Sequence, residues 1–280
     1  MKFSQRVGQR PVRSALQVES IDADLLNSIW NTIVISFFQA LGRQSTMGES
    51  QVATACKTLW VDFLKRPIDE SPNYRFEGLF INGIIASLKN WYFVAPWYDV
   101  YDLVQFIAEI DEEVEVGFIE NCNRVLEREG SGYRIINGYL TQITSELEIQ
   151  EIESALKNNN KWVSVSTHLN SALDQLSDRK NPDYRNSIKE SISAVEAACI
   201  IMTGDSSATL GKALSLIEKS HSLHGALRSA FASLYGYTSD SGGIRHALLE
   251  EDIKVEFEEA KLLLVLCSAF INYLQAKMAP

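Results

Sequence analysis

The chain has 280 residues, 46% of them apolar and 22% charged, with a formal net charge of −10. That length allows one large domain or two ordinary ones, each with its own core. The acidic balance excludes a general nucleic-acid binder with a broad basic face, while leaving room for a local basic site.

The charge is unevenly placed. Lys2, Arg6, Arg10 and Arg13 precede the first acid, Glu19, whereas the stretch between Lys89 and Arg124 holds eight acids and no base. Two solvated surfaces account for this; so does a basic tail folded onto an acidic helix of its own chain or of a partner.

Helical periodicity dominates from Ser20 onward. Ser20 suits an N-cap, and Asp22 and Asp24 suit the positive end of the helix dipole. Leu26, Trp30, Ile33, Phe37 and Leu41 then recur every three or four residues up to Gly42, where the helix is expected to end. A second helix carries Val52, Cys56, Leu59 and Phe63 and stops before Pro67. A third carries Phe76, Phe80, Ile84 and Leu88. The aromatic-rich run "NWYFVAPWYDVYDLVQF" reads as helix-to-helix packing around Pro96 rather than as a stacking platform for bases. Acid-rich helix continues to about Arg128.

Asn137-Gly138 lies between two β-prone runs and marks a two-residue hairpin, because a type I′ turn needs positive φ at both central positions. The expected register sets Ile136 against Tyr139 and Ile135 against Leu140. Ser145 with Glu148 forms a capping box that opens the next helix.

The second half is helical again. Trp162, Val165, Leu169 and Leu176 mark one helix, and Asn181-Pro182 reads as a cap with proline at the first helical position. Ile188, Ile192, Val195, Cys199 and Met202 form a stripe closed by Gly204. Short helices are expected over Leu210 to Lys219 and His224 to Leu234. The last helix is expected from about Ala247 to Lys277 and is apolar all round from Leu262, as befits the centre of a bundle or a subunit interface. Disorder is expected at Met1 to Pro11 and around Asp240 to Gly243. The fold class is therefore mainly α: two helical domains, the second an antiparallel bundle, joined through a short β-hairpin.

Cys56, Cys122, Cys199 and Cys267 lie far apart within apolar helical patterns, as buried free thiols do, and form neither a disulfide framework nor a zinc site. No signal peptide opens the chain, and the longest apolar run, "LLLVLCSAFINYL" (Leu262 to Leu274), is too short for a bilayer, which needs about 20 residues. The expectation is a cytoplasmic protein with no membrane contact.

Most candidate motifs fail on spacing. "GDSSATLGK" (Gly204 to Lys212) has six residues between its glycines where a phosphate loop has four, and Ala213 stands where that loop needs Ser or Thr. His221 and His224 are three apart but lack further metal ligands. His168 has no partner visible in sequence. No serine-hydrolase elbow or zinc-protease motif occurs. Arg245-His246, in "SDSGGIRHALLEED", remains. Histidine exchanges protons near neutral pH, and the arginine fork suits the charge of a phosphoryl transition state. Together they suit cleavage of RNA through its own 2′-hydroxyl, with no metal or other cofactor. The same pair also suits an ordinary helix start, with Arg245 paired to the acids that follow.

The opening "FSQRVGQRPVRSALQVESIDADLLNSIWN" resembles the N-terminal domain of AbiJ-type abortive-infection proteins, which are bacterial anti-phage factors. The second half resembles a HEPN-type bundle, in "SIKESISAVEAAC", "GGIRHALLEE" and "LLLVLCSAFINYL". These resemblances imply an AbiJ-type domain over residues 1–130, a hairpin and connection over 131–144, and a HEPN-like bundle over 145–280. They also imply a homodimer formed through the bundle, an RNA substrate, and a protein antitoxin or phage trigger as a further partner. HEPN nucleases usually carry an arginine, then four to six residues beyond a polar one, then a histidine; here Arg245 and His246 are adjacent. Arg185-Asn186 begins like that signature, with no histidine in reach after it. Of the two acids on the same helix, Glu196 flanks the apolar stripe and Glu190 faces away from it. The expected site is therefore catalytic Arg245 and His246, supported by Glu196 and Arg185, with no metal. The alternative is an inert dimerisation or binding module with a sensor or regulatory role.

Overall fold

The computed structural model describes residues 3, 16–44, 50–72, 76–114, 117–157, 161–178, 182–221, 223–239 and 255–278. Both segments expected to be disordered, and the Arg245-His246 pair, lie outside these residues, apart from Phe3. The fold is mainly α, and the chain divides into two compact units, Met1–Gln142 and Ile143–Pro280.

In the first unit, α1 (Ala23–Thr32) runs through a π-helical segment (Ile33–Phe38) into α2 (Gln39–Gln44). Asp22, not Ser20, is the N-cap: its carboxylate accepts from the Leu25 amide at 2.9 Å. Gly42 lies inside α2, because no positive φ is needed there and the helix carries on past it. The π-helical turn shifts the buried face, so Leu25, Ile29, Ile33, Phe37 and Leu41 fill the core while Leu26 lies at its edge. Over Ala23–Arg43 this helix has the length and hydropathy of a membrane-crossing segment, a property the shorter Leu262 to Leu274 run lacks; these same apolar side chains are core here.

Next come α3 (Gln51–Thr58) with a second π-helical segment (Leu59–Phe63), a 3-10 turn (Ile68–Glu70), α4 (Glu77–Tyr92), α5 (Trp97–Val114) and α6 (Phe118–Arg128). The aromatic run packs helix on helix. Tyr92 is fully buried, donates to the Leu26 carbonyl at 2.8 Å and lies 5.1 Å from the Trp30 ring; Phe63 meets Trp91 and Phe106 edge-on or tilted. At the end of the second π-helical segment Lys65 takes φ of 52°, and the Arg66 amide reaches back to the Trp60 carbonyl at 3.1 Å. This is the left-handed cap that glycine usually supplies.

The hairpin β1 (Arg134–Ile136) and β2 (Tyr139–Thr141) has the register the sequence predicts, with φ of 47° at Asn137 and 81° at Gly138. Just before it, the loop after α6 is clasped by the segment that leads into α1. Gln17 pairs with Ser131 as an isolated parallel bridge: its amide donates to the Gly130 carbonyl at 2.9 Å and its carbonyl accepts from Gly132 at 2.8 Å. Its side chain donates to the Glu129 carbonyl at 2.9 Å and accepts from the Asp22 amide at 2.7 Å. Tyr133 adds a bond from its hydroxyl to the Val18 carbonyl. A Cβ on Gly132 would sit 2.9 Å from Val18, so glycine permits the approach.

The second unit holds α7 (Glu146–Leu156), α8 (Val163–Ser177), α9 (Tyr184–Thr203), α10 (Leu210–Ser220), α11 (Gly225–Ser239) and α12 (Phe257–Met278). Ser145 caps α7 by accepting from the Glu148 amide. Asp183, not Asn181, caps α9 through the Asn186 amide at 3.0 Å, which leaves Pro182 outside the helix. Gly204, at φ of 69°, ends α9. The final helix begins at Phe257: Val255 and Glu256 are not helical, and the Glu259 carboxylate reaches back to the Glu256 amide at 3.1 Å, a start signal in its own right. Leu263, Leu264, Cys267, Phe270, Ile271 and Leu274 of α12 are buried, and Lys261 pairs with Glu148 of α7 at 2.7 Å.

Two stability effects follow. Gln17→Ala removes both side-chain bonds of the clasp and should lower unfolding free energy by about 1–3 kcal/mol, measured by urea denaturation. Lys65→Gly should raise it by about 0.5–1 kcal/mol, because relief of the left-handed φ outweighs the added freedom of the unfolded chain.

Candidate functional site

The best-defined polar constellation of the second unit lies along the α8–α9 pair, and the register of that pair produces it. At one end the Asp183 amide donates to the Gln175 carbonyl at 3.3 Å. One turn further, the Ser187 hydroxyl, fully buried, donates to the Ala172 carbonyl at 2.7 Å. One turn further again, His168 Nδ1 lies 2.7 Å from Glu190 Oε2. Each step of three or four residues back along α8 is matched by a similar step forward along α9, as antiparallel helices require. Ser191, also fully buried, returns its hydroxyl proton to the Ser187 carbonyl at 2.9 Å. Serine and alanine at the crossing keep the two backbones close, and closeness lets a histidine and a glutamate meet across them.

The structure separates the two acids considered from sequence. With about 100° per residue, Glu190 lies beyond one edge of the buried face of α9, on the α8 side, and Glu196 beyond the opposite edge. Both are partly buried. Glu190 therefore does face away from the apolar stripe, but into a partner on the next helix. Arg185, partly buried in the first turn of α9, shares the Glu196 side of the helix. The two are eleven residues apart, about 16 Å along the axis, so they do not meet in one contact.

The remaining histidines act locally. His221 Nδ1 is 2.7 Å from the Ser220 hydroxyl, and His224 Nδ1 accepts from the Ala226 amide at 3.1 Å, at the start of α11. Of the Gly204 to Lys212 segment, residues 204–209 form an interhelical loop and the rest opens α10. Asp205 there accepts from the Ser207 amide and hydroxyl and from Lys212 Nζ, and these bonds, Ser207's first, hold its carboxyl down at about 2. Among the described residues no group of three or more His, Cys, Asp or Glu side chains could hold a metal ion.

Sequence inspection missed the His168–Glu190 pair because the partners are 22 residues apart and belong to different helices. The one available signal was that His168 stands just outside the apolar stripe of its helix; Glu190 faces away from its own.

All four cysteines are buried and free, and burial pushes each thiol up to about 12. At pH 8 the thiolate fraction of such a group is about 10⁻⁴. Native protein should therefore resist a thiol reagent at pH 8 for many minutes, while protein in guanidinium should react at all four positions. Rapid labelling of a native thiol would contradict the packing described.

No curated protein and no solved structure matches the chain. Residues 1–158, more than half of it, match the family described as AbiJ N-terminal domain 4. The match takes in the whole first unit and α7. The chain therefore belongs to the AbiJ N-terminal domain 4 family, and through it is tied to abortive infection.

Proposed function

We propose that the protein is an anti-phage abortive-infection effector whose second unit is a HEPN-like bundle that cleaves RNA through the RNA's own 2′-hydroxyl. One observation carries this reading. The family match includes the entire first unit, and beyond it the chain keeps a second compact helical unit with its own core. A defence protein built this way separates sensing from effect. The first unit, with the basic segment from Lys2 to Arg13, senses or regulates; the second acts.

Arg245 and His246 are the residues proposed for the chemistry. Arginine stabilises charge on the phosphorane and histidine transfers protons. In a homodimer, two copies of His246 supply both an acid and a base. Glu196 and Arg185 support the site. A protein antitoxin or a phage product is the proposed regulator.

A second reading has its own support: Arg245 and His246 are neighbours, and helical neighbours point about 100° apart. On that reading the second unit is an inert dimerisation or binding module.

The test is cleavage of single-stranded RNA by purified protein in EDTA, beside Arg245→Ala and His246→Ala. The effector reading predicts cleavage by the parent protein and a loss of about 10²-fold or more in each variant. Equal rates in all three remove these residues from the chemistry, and no cleavage by the parent protein removes the nuclease reading in favour of the module.

A further inference from the structure

The pair formed by His168 and Glu190 has no role in the reading above, and its geometry is that of a held proton acceptor. Nδ1 of the imidazole lies 2.7 Å from Glu190 Oε2, and the side chains are 37% and 23% exposed. The exposures differ in an informative way. The carboxylate is mostly covered between the helices, whereas the imidazole keeps over a third of its surface in solvent. A carboxylate on Nδ1 fixes the proton there in the neutral ring, leaving Nε2 as the basic nitrogen. Among the described residues the imidazole has no second bond, so Nε2 is available to a ligand.

The surroundings suit a polar ligand. Helical spacing places Ser164 and Ser171 one turn to either side of His168, and Asn186 and Ser193 one turn to either side of Glu190. All four are at least partly exposed. Within one turn of either residue on its own helix, the only other charged side chain is Lys189, which is exposed. Among the described residues no lysine or arginine pairs with Glu190, so its charge acts on the imidazole.

We propose that His168 is a catalytic base of the second unit, positioned by Glu190, and that it takes the 2′-hydroxyl proton of an RNA bound across α8 and α9. This rests on the RNA-cleaving reading and changes its base: His168 takes the proton within a single copy of the chain, in place of a second copy of His246. In the step, the 2′-oxygen forms its bond to phosphorus as the bond from phosphorus to the 5′-oxygen breaks. The 2′-hydroxyl proton passes to His168 Nε2, and the departing 5′-oxygen takes a proton from water. The products are a 2′,3′-cyclic phosphate and a 5′-hydroxyl, and the imidazolium returns its proton to solvent. Glu190 is the positioning residue: it holds the ring and stabilises the imidazolium.

The experiment uses the full chain, a labelled single-stranded RNA of mixed sequence, and EDTA throughout. It compares parent protein, His168→Gln and Glu190→Gln, with helix content and melting temperature measured on each. The expected loss in kcat/KM is about 10²–10⁴-fold for His168→Gln and about tenfold or more for Glu190→Gln. The split between kcat and KM adds a readout that a merely structural role would not give. A positioning role predicts that folded Glu190→Gln loses kcat with KM close to the parent value. Parent-level cleavage by folded His168→Gln, or a parent-level kcat in folded Glu190→Gln, overturns the proposal and leaves the nuclease reading standing. Absence of cleavage by the parent protein overturns both. If His168→Gln does not fold, the kcat of Glu190→Gln decides.

Discussion

The buried bond from the Ser187 hydroxyl to the Ala172 carbonyl sets what the α8–α9 pair can do. A hydroxyl with no access to water must find an acceptor, and a carbonyl already engaged in its own helix has a second lone pair to offer. That bond fixes both the separation and the register of α8 and α9. Shift one helix by a turn and His168 no longer faces Glu190. The polar pair is thus a consequence of packing, and the packing depends on serine and alanine where larger side chains would force the helices apart.

The first unit is organised by a different constraint. Its long first helix is apolar enough to lie in a bilayer by composition, and it is placed by a clasp at its leading end. Gln17 uses both main-chain groups and both ends of its side chain to join the chain before α1 to the loop after α6. Tyr101, Ser131 and Tyr133 continue that network inward, with the Tyr101 and Ser131 hydroxyls 2.6 Å apart. Residues more than 110 positions apart in sequence are therefore joined by directed bonds.

Much of this was legible in the sequence, and the exceptions have physical reasons. Asn137-Gly138 gave the hairpin and its register because only one turn type suits that dipeptide. The stripe from Ile188 to Met202 and its Gly204 stop gave α9. The first helix was misjudged at both ends: Asp22 outcompeted Ser20 as the cap, and Gly42 was accommodated within the helix. Its π-helical segment could not be read, since a shift of one residue in the hydrophobic period looks like ordinary scatter. The last helix, expected without a break from about Ala247, is interrupted at Val255 and Glu256, a break marked only by the reach of Glu259; residues 247–254 lie outside the described residues. For the site, residue types pointed to Arg245 and His246, but His168 looked solitary because its partner is tertiary.

Cleavage of RNA through the 2′-hydroxyl, as we propose for this protein, leaves a chemical signature on the RNA ends. RNA should be recovered from cells expressing the protein and its new termini identified. The account predicts 2′,3′-cyclic phosphates and 5′-hydroxyls that appear with growth arrest. Termini bearing 3′-hydroxyls and 5′-phosphates, or RNA left intact while growth stops, would contradict it.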